Sequence, residues 1–579
     1  MDPNLTIPTF LQLKKYSKRK EETAPNYRLA LLGDCATQHL ATALQGYAQY
    51  TGLNLEVFDA DYNQLDVQIM DAHSELYAFH ADAILLYMCA EKLQEAFYET
   101  PPEQRNTFAE RTFERIEAYW QTLCAQSSAV VLQFNFASID DGCFGSYGLK
   151  TADSFRFQLH KLNLRLAEGC QAYKNVFLID LESVQSRYGR CATFESKLFY
   201  VAKMPLSLNI LPEIAKRVLD MIHVLRGRVK KCVILDLDNT LWGGVIGDDG
   251  LNGIQVGELG NGPAFTHLQR WLKELQQRGI LLAVCSKNNE DTAKEPFLKH
   301  PEMVLRLDDI SMFVANWEDK ASNIRRIQQT LNIGMESMVF LDDNPFERNL
   351  VRSMIPALTV PELPEDPAEY VTYLQGLNLF ETASYSQEDA GRTRQYREEA
   401  ERTRLQASFG SYDDYLKGLK MVATAKPFEP FYYPRIAQLT QRSNQFNLRT
   451  VRYNEAQIEA LAKDDSHITR YYTLRDKLGD YGLISVVVMD KQPEHTLFIS
   501  EWLMSCRVLK RGMEEFIIND LIAVARENGY TRLIGEYIKT AKNAMVADIY
   551  ERMGFRRNGT QFFVDITDFT PNKTYIEEE

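Results

Sequence analysis

A run of four apolar residues, Cys232–Leu235, breaks off into Asp236-Leu237-Asp238-Asn239-Thr240, and this junction constrains the fold more than any other segment. So short a run cannot form a core helix. It reads as a strand buried on both faces, the condition of strands in parallel sheets. The same grammar recurs downstream: 281–285 is an apolar strand ending in Ser286-Lys287, and 338–341 one ending in Asp342-Asp343-Asn344. Side chains just beyond the carboxyl ends of parallel strands share one crevice, where open α/β sheets bind ligands. Gathered there, Asp236, Asp238, Asp342 and Asp343 repel one another strongly unless a cation sits among them. Hard oxygen ligands at an open site favour Mg2+ over zinc or copper. Lys320 begins a helical stretch and adds positive charge opposite the ion. Carboxylate, lysine and hydroxyl around such an ion suit in-line attack on phosphorus. Taken alone, Asp236 and Asp238 fit a helix cap or a loop equally well. With every strand-end cluster in order, the catalytic reading prevails. An EF-hand reading fails, because Thr240-Leu241 stand where a ligand and a glycine are needed.

Two further blocks flank this one. Residues 27–225 alternate strand-like runs (28–33, 83–88, 129–134, 175–180) with amphipathic helices, which implies a parallel sheet covered on both faces. The middle block spans 228–375, and a highly charged stretch over 376–411 reads as a helical connector. The third block, 412–570, carries strands near 471–474, 482–489, 496–504 and 532–537, with helices over 513–528 and 543–553. The tail Glu577-Glu578-Glu579 reads as solvated charge. The segment 242–262, rich in glycine and acids, is too short for a folded lid. At roughly 150 residues per domain, 579 residues accommodate about three or four domains, so the fold class is multidomain α/β. The net charge of −14 excludes general affinity for nucleic acid, and 11% aromatic content excludes disorder. No apolar run approaches the roughly 20 residues that cross a bilayer. Met1-Asp2-Pro3-Asn4 lacks the basic start of a signal peptide. The nine cysteines form no Cys-x-x-Cys pair, so no disulfide framework or zinc site is expected, and the compartment is reducing and cytoplasmic.

The first strand ends in Gly33-Asp34-Cys35-Ala36-Thr37 and opens a helix expected over 36–50. A thiol at a helix N-terminus feels the positive dipole end, which would lower the pKa of Cys35 and make it a nucleophile. Burial as a small apolar residue is the competing fate. None of the other cysteines has a comparable setting in the sequence. Asp34 either caps the helix or orients a neighbour. Asn135, after the strand 129–134, offers an oxyanion donor or a cap. His39 reads as a surface or packing residue.

The strand-end pattern of the middle block resembles the haloacid-dehalogenase (HAD) superfamily. That resemblance implies Asp236 as nucleophile and Asp238 as general acid/base, with Thr240, Ser286, Lys287 and Lys320 around the phosphoryl group. It further implies Mg2+ held by Asp236, the Asp238 carbonyl, Asp342 and Asp343. Gly33-Asp34-Cys35 resembles the start of SGNH hydrolases with cysteine in the serine's place, which implies a flavodoxin-type sheet. The late histidine of that family is absent, since no histidine lies between His160 and His223. In the third block, Cys506-Arg507-Val508-Leu509-Lys510-Arg511-Gly512 before a helix is similar to the pyrophosphate loop of GNAT acyltransferases, with Lys510 in place of the middle glycine. Arg507, Arg511 and Gly512 would then hold a coenzyme A diphosphate or a phosphopantetheine arm. The narrower match is to FkbH-like proteins. It rests on Asp236-Leu237-Asp238-Asn239-Thr240, Cys285-Ser286-Lys287-Asn288-Asn289-Glu290, Phe340-Leu341-Asp342-Asp343-Asn344-Pro345-Phe346-Glu347-Arg348 and Gln441-Arg442-Ser443-Asn444-Gln445-Phe446-Asn447-Leu448. It implies dephosphorylation of 1,3-bisphosphoglycerate and delivery of glyceryl, through a Cys35 thioester, to an acyl carrier protein in a polyketide-type pathway. The alternatives are a plain HAD phosphatase of a small phosphoester and a non-catalytic carrier-protein scaffold.

Overall fold

The computed structural model describes residues 7–19, 26–385, 409–540 and 542–579, with only the backbone of Cys506. Most of the connector expected over 376–411 lies outside the described residues. The chain divides into two compact units, 3–222 and 223–579. Among the described residues no helix is long and apolar enough to cross a membrane.

The first unit is built on five parallel strands: β1 (Tyr27–Gly33), β2 (Leu55–Asp59), β3 (Ala83–Tyr87), β4 (Val130–Phe134) and β5 (Val176–Ile179). Their order is β2-β1-β3-β4-β5, the doubly wound flavodoxin order. β3 is buried at every position, as its apolar run Ala83-Ile84-Leu85-Leu86-Tyr87 requires. Helices Phe108–Gln126 and Phe155–Gly169 supply Phe113, Ile116, Trp120, Leu159 and Leu162 to the core on one face. β2 was not foreseen: it is an edge strand, largely half-buried, and so lacks a continuous apolar run.

The second unit holds two sheets. The first has β6 (Cys232–Leu235), β7 (Leu281–Ser286), β8 (Ile310–Ala315) and β9 (Met338–Leu341), all parallel, in the order β8-β7-β6-β9. Their side chains pack with Ile324, Ile327 and Leu331 of the helix Lys320–Leu331. The second sheet comprises β10 (Val422–Lys426), β11 (His467–Asp476), β12 (Gly479–Gln492), β13 (Thr496–Met504), β14 (Arg532–Glu536), β15 (Arg556–Asn558), β16 (Gln561–Asp565) and β17 (Glu577–Glu578). It is mixed: β13 and β14 are parallel, whereas β11, β12 and β13 form an antiparallel meander. The carboxyl-terminal tail corrects its reading as free charge. β17 pairs in parallel with β10, and Glu579 meets Arg475 at 2.7 Å.

Candidate functional site

The carboxyl ends of β6 and β9 lie side by side, because Leu235 pairs with Leu341 and the Asp236 N–H donates to the Leu341 carbonyl at 2.9 Å. Asp236, Asp342 and Asp343 therefore converge, each offering a carboxylate oxygen within 4.8 Å of the others. Asp319 caps the next helix by accepting from the Ser322 N–H, which fixes Lys320 at its first turn. The Lys320 ammonium reaches Asp342 at 2.5 Å and Asp236 at 2.9 Å. Burial disfavours its charge, but Asp236 and Asp342 outweigh burial and raise its pKa. Burial and the Asp236 charge push Asp342 up to about 6, and the same causes raise Asp343. The second Asp236 oxygen, Oδ1, is buried with no hydrogen-bond partner. An orphaned carboxylate oxygen beside two further carboxylates is the donor set of a hard divalent cation, so these residues fit Mg2+.

The remaining residues expected here divide. The Asp238 carboxylate stands outside the group of three. It accepts from Trp242 Nε1 at 2.9 Å, from the Ile246 N–H at 3.0 Å and from Asn288 at 3.1 Å. Burial raises its pKa, which suits a group that must hold and release a proton. Thr240, expected on phosphoryl oxygens, is buried against Asp343: its hydroxyl accepts the Asp343 N–H at 3.2 Å and lies 3.3 Å from Oδ1. Ser286 is buried at the end of β7. Lys287 pairs with Glu347 at 2.6 Å rather than with the three carboxylates. Sequence reasoning missed Arg348 as a positioning residue. Its guanidinium donates to the Asp342 and Asp343 carbonyls at 2.8 and 2.6 Å and so fixes the loop that carries both. Its place in the 340–348 motif was the available signal.

In the first unit, Gly33 pairs with Tyr87, which sets Asp34-Cys35 beside Met88-Cys89 beyond the ends of β1 and β3. A Cβ on Gly33 would stand 2.5 Å from Thr37 Cγ2, so only glycine fits this turn. Cys35 corrects the expectation of a lowered pKa. The helix begins at Gln38, and the thiol is only 1% exposed, so burial raises its pKa. Nor is its setting unique. Asp34, Cys35 and Cys89 bring their ligand atoms within 4.8 Å of one another, and the Cys35 hydrogen bond is the largest influence raising Cys89. Cys89 was legible as a second cysteine two residues past a strand end, had the β1–β3 register been known. Asp34 accepts the Cys89 N–H at 2.9 Å, and burial pushes its pKa up to about 6. Asn135 acts as a cap, the second of the two roles expected for it: its side-chain carbonyl accepts the Leu181 and Glu182 N–H groups, and its amide donates to Asp180 at 2.7 Å. His39 stacks on Phe10 at 5.4 Å, a packing residue.

In the third block, Gly512 adopts φ +81° at the start of the helix Met513–Glu527, as a turn glycine should. Arg511 corrects the pyrophosphate reading. Its side chain is buried in the domain, bonded to the Tyr481 hydroxyl and 3.6 Å from Asp476, so it does not face the loop. Lys510 and Gly512 both have positive φ, and this double reversal turns Arg511 inward. The Gly512 carbonyl accepts the Thr574 hydroxyl at 3.1 Å, which lays the carboxyl-terminal segment against this junction. Arg507 is half-buried, its Nε 3.2 Å from Ser505 Oγ.

Residues 28–223 match the family model described as the FkbH N-terminal domain. No curated protein matches the chain. Among solved structures, the chain is similar to the N-terminal part of protein BF1531 from Bacteroides fragilis, which contains a phosphatase domain complexed with Mg. The identity is 50%, the TM-score 0.63, and the match covers 65% of this chain and 100% of that one. The ribosomal-protein-S18-alanine N-acetyltransferase of Escherichia coli matches at 14% identity and TM-score 0.21, over 26% of this chain and 99% of that one. The GNAT domain of S. lividans PAT matches at 16% identity and TM-score 0.20, over 24% and 89%. Half the residues identical along the whole of a solved relative, joined to the N-terminal match, place this chain in the FkbH-like family.

Proposed function

We propose that this protein is a Mg2+-dependent glyceryltransferase/phosphatase that acts on 1,3-bisphosphoglycerate and passes the glyceryl unit to an acyl carrier protein. The observation that carries the reading is the orphaned Asp236 Oδ1, buried between Asp342, Asp343 and Lys320. The Mg bound by the B. fragilis relative supports the same ion here. Asp236, Asp342 and Asp343 would hold it, and it would neutralise phosphoryl charge. Asp236 attacks the phosphorus of the ester on the third carbon and forms an aspartyl-phosphate. Asp238, held by Trp242, Ile246 and Asn288, gives its proton to the departing oxygen and then takes one from the water that hydrolyses the intermediate. Lys320 balances charge on the side away from solvent.

In the first unit, Asp34 lies within reach of both thiols and takes the Cys35 proton. The thiolate then attacks the acyl carbon, phosphate leaves, and a glyceryl thioester remains on Cys35. A thiol of the carrier accepts the acyl group at nearly equal energy, and the absence of a hydrolytic histidine slows its loss to water. The third block, with Arg507, receives the carrier's phosphopantetheine arm. The burial of Cys35 favours one alternative, a phosphatase whose first unit is inert.

Intact-protein mass spectrometry after incubation with 1,3-bisphosphoglycerate and Mg2+ separates the two. A glyceryl adduct on Cys35 that moves to an added carrier is expected. Cys35→Ala should lose the adduct and keep phosphate release from the ester, while Asp236→Asn should lose that release. An adduct on Cys89 alone, or overall transfer unchanged in Cys35→Ala, overturns the assignment.

A further inference from the structure

Beyond the carboxyl ends of β1 and β3, two thiols lie side by side inside the first unit. Gly33 pairs with Tyr87, so carrying the register forward by two residues sets Cys35 opposite Cys89. Neighbouring strands lie roughly 4.8 Å apart, within the roughly 4.4–6.8 Å that separates the Cα atoms of a disulfide. The Asp34 N–H donates to the Tyr87 carbonyl at 3.2 Å, and the Cys89 N–H donates to Asp34 Oδ1 at 2.9 Å, so both backbones are held as they leave the sheet. The two sulfurs are hydrogen-bonded to each other and lie, with a carboxylate oxygen of Asp34, within 4.8 Å of one another. Both thiols are buried, Cys35 1% and Cys89 2% exposed. Cys89 nevertheless lines a cavity of about 30 Å³, which the half-buried Ala137, Arg190, Phe194 and Leu206 also line. About 10–15 Å³ holds one water, so this space has room for hydrogen peroxide and none for a bulky disulfide.

We infer that Cys35 and Cys89 are a redox-modification site, joined as a disulfide by hydrogen peroxide. Asp34 takes the proton of one thiol, and that sulfur attacks a peroxide oxygen. The O–O bond breaks, and the departing hydroxide leaves as water with the proton from Asp34. The second sulfur then attacks the sulfenic acid so formed. The S–O bond breaks, the S–S bond forms, and a second water carries away the remaining thiol proton. Two thiols lose two electrons, and one peroxide gains them. Closure is slow, because burial raises the Cys35 pKa, and the bond to Cys35 together with burial raises that of Cys89 further. The disulfide does not depend on the function proposed above. Its consequence rests on that function: with Cys35 tied to Cys89 the glyceryl thioester cannot form, while phosphate release at Asp236 continues.

No lysine or arginine lies between Arg28 and Lys92, so trypsin releases Cys35 and Cys89 together, with no other cysteine, in the peptide 29–92. Folded full-length protein is held in excess hydrogen peroxide, quenched with catalase, unfolded and alkylated before digestion. The peptide should then carry no alkyl group, against two in untreated protein, and oxygen added at Met70 or Met88 leaves this count unchanged. Dithiothreitol applied after unfolding should restore both groups. Glyceryl loading of the oxidised protein should be lost and phosphate release kept. If untreated protein shows no loading, the proposed function has failed and the peptide still decides the disulfide. Two alkyl groups after prolonged peroxide, a link from this peptide to another, or groups lost to added oxygen that dithiothreitol does not restore, overturns the inference.

Discussion

Glu501 sits on β13 with its side chain enclosed, 0% exposed. Its Oε2 accepts the Val451 N–H at 3.1 Å, and Oε1 has no hydrogen-bond partner. Burial pushes its pKa up to about 8 against the lowering effects of that bond, Arg452 and Arg449. The folded chain therefore keeps a proton that the unfolded chain releases above its ordinary 4.5. The stability this contributes is complete below that value and is lost as pH rises towards 8. Unfolding free energies from urea titrations between pH 5 and 8 should fall by up to about 1.4 kcal/mol per pH unit from this group alone, and the urea midpoints with them. Glu501→Gln retains an acceptor for Val451 and carries no charge, so its midpoints should be flatter with pH; parallel curves would sink the argument. At this scale the sequence spoke where chemistry demands a residue type. Asp236, Asp342, Asp343 and Lys320 were legible because only acids and a counter-charge do that work beyond a strand end. Arg511 and Asn135 were not, because their direction is set by the Lys510–Gly512 backbone and by the Asp180 cap, which no spacing rule encodes.

Among elements, β13 and β14 pair only from Thr496 with Arg532 to Ile499 with Gly535, and then part. The motif segment Phe446-Asn447-Leu448 fills the opening. Leu448 donates to the Trp502 carbonyl at 3.1 Å, Met504 to Phe446 at 3.1 Å, and Ile538 to Leu448 at 2.8 Å. Backbone groups that an extended ligand would use for strand addition are thus satisfied by the chain itself. Asn543, fully buried, holds the arrangement by donating to the Asn447 and Ile538 carbonyls, both at 2.9 Å, and by accepting from Thr540. Asn543→Ala leaves those carbonyls unanswered, at a cost of about 1–3 kcal/mol. Hydrogen exchange should accelerate at Leu448 and Ile538 before the rest of β12 and β13; uniform acceleration would mean the segment is no separate element. The strands read most directly from the sequence were those buried along their whole length, at an edge or not. Cys232–Leu235 and Met338–Leu341 are fully buried and read as unbroken apolar runs, and Thr496–Met504 is as fully buried although Ser500 and Glu501 interrupt its apolar residues. β2, β8 and β15 lie at sheet edges, and β10 lies beside the short edge strand β17; partial exposure breaks their pattern.

For the whole molecule, each chemical group lies within one unit. Asp34, Cys35 and Cys89 belong to 3–222, and the three metal-fitting carboxylates with Lys320 belong to 223–579. Each unit also has its own apolar core, the first around Trp120 and Phe113, the second around Ile234, Phe340 and Ile324. A ligand that binds one folded unit and not its unfolded form stabilises that unit by mass action. At a hundred times its dissociation constant, Mg2+ should add about 2.7 kcal/mol to the opening of the carboxylate site's own unit. Peptide-resolved hydrogen exchange across a urea series can read the units separately. Peptides covering β6, β7 and β9 should shift to higher urea with Mg2+, while those covering β3 and β4 should stay in place. In Asp236→Asn the shift should collapse, because the orphaned oxygen that fits the ion is replaced by a neutral amide. Equal shifts in peptides from both units would contradict a cation bound by Asp236, Asp342 and Asp343 alone, and would instead require a second binding site at Asp34, Cys35 and Cys89.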